Sequence, residues 1–261
     1  MNQSVDNLAA AWRSIDALCT GLSEDEWKRS TGCPGWTVQD TLAHLVDYES
    51  RALGRPAPDH TPSDFSHTKN DMGRSNEVGV DYRRARTGDE VLAELRDVAA
   101  ARVAQMQQWT DDDLQREVVT PVGPGTVADM LTLRVMDTWS HEQDIRRALG
   151  RPGGTDGPVV DEALAYFSRL LPYVVGKRAG APEGAAVVIE IGPERRVPIE
   201  VVDGRARLAA SPRSSPTVSI AMPVATFAAL VGGRADAPDD VSIEGDRTLG
   251  QAVVDSLAIM P

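Results

Sequence analysis

Three times in the first half of this chain a Thr-x-x-Asp/Glu box stands directly before a run of apolar residues spaced by three and four. They are Thr37 with Asp40, Thr87 with Glu90, and Thr126 with Asp129. In such a capping box the threonine oxygen takes one free N–H of a helix start, and the carboxylate reaches back to another. Each box therefore marks where a helix begins, and the apolar spacing after it marks the face that packs. The first box opens a helix to about Leu53, the second precedes Val91, Leu95, Val98, Arg102, Met106 and Trp109, and the third opens the segment containing Asp137 and His141. An N-terminal run of Val5, Leu8, Trp12, Ile15, Cys19 and Leu22 has the same period without a box. Four long amphipathic helices bury their faces most simply as a four-helix bundle. Between the second and third lies a polar connection, 54–88, rich in Pro, Asp, Ser and His, which has room for a short helix around 76–86.

After Arg151-Pro152-Gly153-Gly154 the pattern changes. A helix is expected over 159–171, then strands over 186–191, 197–202, 205–209, 217–221 and 241–244, with helices over 227–231 and 248–257. Asp203-Gly204 between two of these runs is a hairpin signal. The expected organisation is α+β overall: a bundle over 1–152 and a small α+β domain over 153–261.

Among the 261 residues, 41% are hydrophobic and 25% charged, as in an ordinary globular protein. A net charge of −12 with no Lys/Arg block argues against a nucleic-acid partner. No apolar stretch is long enough to span a membrane, and the N-terminus lacks the basic and apolar regions of a signal peptide. With only Cys19 and Cys33, a disulfide framework is not expected, and reduced thiols in a cytoplasm are.

Asp137 and His141 are one helical turn apart, on the flank of a stripe formed by Leu131, Val135, Ile145 and Leu149. Polar groups at the edge of a packing face are costly unless paired or metal-bound. The pair alone fits a solvated contact, an aspartate orienting a core histidine, or half of a metal site. His44 lies away from the apolar stripe of its helix, on the face of Thr41 and Tyr48, which by itself reads as a surface histidine. His60 and His67, in the polar connection, read as solvated loop residues, and Cys33, with no histidine near it in sequence, as a small buried residue. Trp36 and Trp139 read as packing residues. Asp144, a turn beyond His141, can orient a ligand or pair with Arg147 or Arg151. Arg234 follows Gly232-Gly233, where an arginine caps a helix end.

PGWTVQDTLAHL followed by MDTWSHEQDIRRALGRP, together with AALVGGR and VSIEGD near the end, resembles the mycothiol-dependent maleylpyruvate isomerase family. The resemblance implies a DinB/YfiT-like metal-binding bundle followed by a small, sterol-carrier-like α+β domain. It places the family's two metal-binding histidines on His44 and His141. The metal carboxylate, usually Glu, falls on Asp137, one methylene shorter. Arg234 falls where an arginine would meet an anionic thiol cofactor or substrate, in a catalytic and cofactor-binding role. The implied cofactors are a divalent metal, Zn2+ first with Fe2+ or Ni2+ as alternatives, and mycothiol as thiol cosubstrate. The implied partner is a small electrophile, in a monomer or homodimer.

Two imidazoles and a carboxylate leave open positions on a metal, where a thiol is bound as thiolate and can attack an activated alkene or epoxide. The same donors serve a metal-dependent hydrolase or oxygenase, and a non-catalytic metal- or small-molecule-binding protein would need no turnover.

Overall fold

In the computed structural model, which describes residues 2–211, 215–235 and 239–260, all three sequence-read helix starts are closed capping boxes. The helices of the first half are α1 (Gln3–Cys19), α2 (Glu24–Trp27), α3 (Val38–Ala52), α4 (Asp71–Arg83), α5 (Gly88–Met106), α6 (Asp111–Gln115) and α7 (Val127–Leu149). Ser23 and Thr110 cap the short helices α2 and α6 with the same reciprocal device. Those two are too short to show an apolar period.

The four long helices α1, α3, α5 and α7 form the bundle. Each of α1 and α3 packs against both α5 and α7. Leu8, Trp12, Ile15, Leu42, Leu45, Leu95, Leu131 and Ile145 fill its centre. The polar connection contains α4, which begins earlier than the 76–86 expected and packs against α3. With neighbours on three sides, α3 is buried at every residue from 38 to 47. A helical wheel assumes one buried face, so it misplaces the residues beneath α4. Between α6 and α7 an antiparallel hairpin, β1 (Glu117–Thr120) and β2 (Gly123–Thr126), appears that residue preferences do not announce. Its second strand is Gly-Pro-Gly-Thr, a sequence poor in strand formers.

The described chain divides into two compact units, Met1–Ala163 and Leu164–Pro261. The division falls within α8 (Pro158–Tyr173), and the 152/153 boundary expected from composition lies in the turn preceding that helix. That turn is tied down: Trp139 Nε1 and Gln143 Nε2 both donate to the Gly154 carbonyl at 2.9 Å.

A π-helical turn, Val174–Arg178, follows α8 in the second unit. Five strands come next: β3 (Ala186–Ile191), β4 (Arg195–Val202), β5 (Arg205–Leu208), β6 (Val218–Met222) and β7 (Ser242–Gly245). Their order is β5-β4-β3-β6-β7, antiparallel except for the β3–β6 pair. Asp203 and Gly204 both have positive φ, 54° and 70°, as the two-residue β4–β5 hairpin requires. α9 (Val224–Val231) and α10 (Arg247–Asp255) complete the unit, with α10 against β6 and β7. Phe167 of α8 meets Phe227 of α9 edge to face at 5.9 Å, as apolar rings prefer. The α+β architecture expected from the sequence is the one observed. Among the described residues no helix is long and apolar enough to cross a membrane.

Candidate metal centre

The contact between α3 and α7 brings His44 to Asp137 and His141. His44 Nε2 lies 3.5 Å from Asp137 Oδ2, and His141 Nε2 lies 3.6 Å from Asp137 Oδ1. The two imidazole rings stand edge to face, 4.9 Å between centroids. One donor atom from each residue falls within 4.8 Å of the others. A tetrahedral ion with bonds of about 2.0–2.1 Å sets its donors roughly 3.3 Å apart, close to the two His–Asp separations of 3.5 and 3.6 Å, so the donor types and spacing suit a divalent cation. The shorter aspartate reaches both imidazoles, one with each oxygen. Both histidines are buried, whereas the Asp137 side chain keeps 23% of its surface exposed, and the cluster opens on that side.

Electrostatics separates the two histidines. Burial pushes the His44 imidazolium down, and Asp137 offsets it only in part. Burial also opposes charge on His141, but the Asp137 carboxylate and hydrogen bonds to Asp144 and Cys33 outweigh it and push the group up to about 10. Asp137 itself, although partly buried, is held far below the usual carboxylate range by Arg134 and His141. Metal ligation needs neutral imidazoles, so an ion bound by these donors would compete with the proton on His141.

Neighbours not evident from sequence complete the centre. Arg134 Nη1 donates to Asp137 Oδ2 at 2.6 Å, and its Nε donates to Glu49 Oε1 at 2.8 Å. The guanidinium lies 3.7 Å over the Tyr48 ring. Glu49, fully buried, also accepts from Arg102 Nε at 2.9 Å. Arg134 is one helical turn before Asp137, and that spacing is the signal that marks it.

Trp36 stands beside both imidazoles, 5.2 Å from His44 and 6.1 Å from His141 between ring centroids. Its Nε1 donates to Glu77 Oε2 on α4 at 2.9 Å. His67 Nε2 meets the same oxygen at 2.9 Å, and Arg84 Nη1 pairs with the other at 2.6 Å. His67 is thus a largely buried partner of a buried carboxylate, not a solvated loop residue, and its ring packs where Gly35 has no Cβ. His60 pairs with Asp81 at 2.7 Å. Cys33 is buried as expected, but folding sets its sulfur beside His141 and Asp144. Asp144 meets His141 Nδ1 at 3.3 Å and Arg147 at 3.7 Å, while Arg151 pairs with Glu26. Arg234 belongs to the second unit, and its backbone N–H caps α9 through the Ala229 carbonyl at 2.8 Å.

Residues 8–146 match the mycothiol maleylpyruvate isomerase N-terminal domain, and residues 161–252 match the C-terminal domain of the same proteins. The chain belongs to the mycothiol-dependent maleylpyruvate isomerase family. The crystal structure of a mycothiol-dependent maleylpyruvate isomerase superposes with a TM-score of 0.60 at 16% identity, covering 94% of this chain and 93% of that one. A histidine-to-alanine variant of that isomerase gives 0.57 at 15% identity with the same coverage. At such identities the likeness is one of fold. Uncharacterized proteins from two strains of Mycobacterium tuberculosis are each 28% identical over 155 residues. That match takes in 56% of this chain and 56% of those relatives, a little over half their length. The cluster of His44, Asp137 and His141 lies inside the stretch matched to the family's N-terminal domain.

Proposed function

We propose that this chain is a metal-dependent, mycothiol-using isomerase or transferase acting on a small electrophile. The observation that carries the reading is the convergence of His44, Asp137 and His141 from two helices on one partly open point. Those residues would hold a divalent metal, Zn2+ first among the candidates. When bound, the ion supplies a Lewis acid with an open position, where a thiol is favoured as thiolate.

The chain's own groups perform the remaining tasks. Arg134 holds Asp137 to one orientation through the 2.6 Å contact and is itself held by Glu49. Trp36, fixed by Glu77, is an apolar wall beside the imidazoles that keeps water from that side. The thiol sulfur adds to an activated double bond and a proton enters at the neighbouring carbon. The new single bond rotates, then loss of the proton and the sulfur restores the thiol and gives the other alkene isomer. Where the adduct is released instead, the same addition is a thiol transfer.

Mycothiol consumption or isomer formation by purified protein is expected to stop with a chelator and return with added zinc. Metal-replete protein that ignores mycothiol yet hydrolyses an ester or consumes oxygen would move the assignment to the hydrolase or oxygenase class.

Arg234 is assigned to an anionic group of the thiol or the substrate. Losing one hydrogen bond to a charged partner costs about 1.5–3 kcal/mol, so Arg234→Ala should raise KM for that partner by about 10-fold or more. Metal content should be unchanged, and an unaltered KM for both substrates would remove Arg234 from the mechanism.

A further inference from the structure

His141 presents its two nitrogens to two different sets of groups. Nε2 faces Asp137, while Nδ1 lies 3.3 Å from Asp144 Oδ2 and 3.9 Å from Cys33 Sγ. The Cys33 thiol donates to that same Asp144 oxygen at 3.2 Å. All three residues are buried, with Cys33 and His141 each 5% exposed and Asp144 3%. The loop before α3 fixes the sulfur. The Cys33 N–H donates to Thr31 Oγ1, its carbonyl accepts from the Trp36 N–H at 3.1 Å, and Gly35 turns the chain at φ 76°. His44 has nothing comparable, since its buried Nδ1 has no hydrogen-bond partner among the described residues.

A histidine ligates a metal through the lone pair of one nitrogen, and its second N–H has to be accepted by something that sets the ring's tautomer and angle. Asp144 is placed to accept from Nδ1 of His141, leaving Nε2 for the ion. Arg147 lies 3.7 Å from the other oxygen of Asp144, and the thiol donates to Oδ2 itself, the oxygen that faces His141. We propose that Asp144, held by the Cys33 thiol, is the positioning residue that commits His141 to bind metal through Nε2, with Cys33 acting as a hydrogen-bond donor and not as a ligand. The inference rests on the metal reading of His44, Asp137 and His141. It makes His141 the pre-organised ligand and His44 the adaptable one.

Cobalt(II) tests it, because its visible bands report geometry and a sulfur ligand adds a charge-transfer band in the near ultraviolet. Wild type, Asp144→Asn, Cys33→Ala and Cys33→Ser would be loaded with Co2+, and affinity measured by competition with a chelator. Far-ultraviolet circular dichroism would follow the fold in each. Loss of such a partner typically weakens metal binding about 10–100-fold, which is the expectation for Asp144→Asn together with altered visible bands. Cys33→Ala should weaken binding in the same direction, and Cys33→Ser, which keeps a donor, should restore it. No variant should show or lose a sulfur-to-cobalt band. Such a band in wild type that vanishes in Cys33→Ser would overturn the proposal by making Cys33 a ligand. Equal affinity in all four proteins would overturn it while leaving the metal site standing. A wild type that takes up no cobalt would overturn both.

Discussion

Replacing His44 or His141 by alanine is expected to abolish stoichiometric metal and, with it, thiol-dependent turnover. Each substitution removes one of three donors, so affinity should fall by more than the about 10–100-fold lost with an outer hydrogen-bond partner. The helices should survive, because Leu8, Trp12, Leu42, Leu45, Leu95 and Leu131 pack the bundle without either imidazole. Elemental analysis paired with circular dichroism checks both halves of the expectation. Full metal occupancy in both variants would place the ion elsewhere. Asp137→Glu restores the residue that the family resemblance implies, but Arg134 already meets the aspartate at 2.6 Å, so the longer side chain has to move that guanidinium.

The largest stability effect is expected at Glu49. Its carboxylate is fully buried and bridges Arg134 at 2.8 Å and Arg102 at 2.9 Å, both guanidiniums themselves buried. Burying charges is costly, and the cost becomes visible when one partner is removed and the others stay unpaired in the interior. Glu49→Ala takes the carboxylate from Arg102 and leaves Arg134 with Asp137 alone, and should cost about 3–5 kcal/mol in urea unfolding. Glu49→Gln keeps hydrogen-bonding atoms without the charge and should cost less. A loss below about 1 kcal/mol for the alanine variant would mean that water or another group takes over from the carboxylate.

Local chemistry made much of this molecule legible from its sequence. Thr37, Thr87 and Thr126 mark helix starts because a capping box involves only four consecutive residues. Asp203-Gly204 marks a hairpin for the same reason. The metal candidates were harder. Asp137 and His141 share a helix, so spacing pairs them, but His44 was joined to them only through a family resemblance. Its wheel position points to solvent because the face it shares with Tyr48 packs on α7 through the polar groups Arg134, Asp137 and His141, which leave no apolar stripe to mark it. Asp47–Arg83 and Asp40–Arg84 fasten α4 to α3, and no hydrophobic period records ion pairs between distant positions. Cys33 was uninformative because its partners are on α7, brought near only by the fold. The β1–β2 hairpin was hidden by its glycines and proline.

The donors are divided between two helices, His44 on α3 and the other two on α7. An ion held by all three clasps those helices together, and the chain between them has to be folded before the clasp can close. Metal affinity is then part of folding free energy by mass action. Free ion at 100 times its dissociation constant adds about 2.7 kcal/mol to the folded state, against nothing at trace levels. On the proposed metal reading, the lifetime of the helical unit in a cell would follow the supply of that ion, and metal scarcity would reduce how much folded protein exists as well as how fast it works.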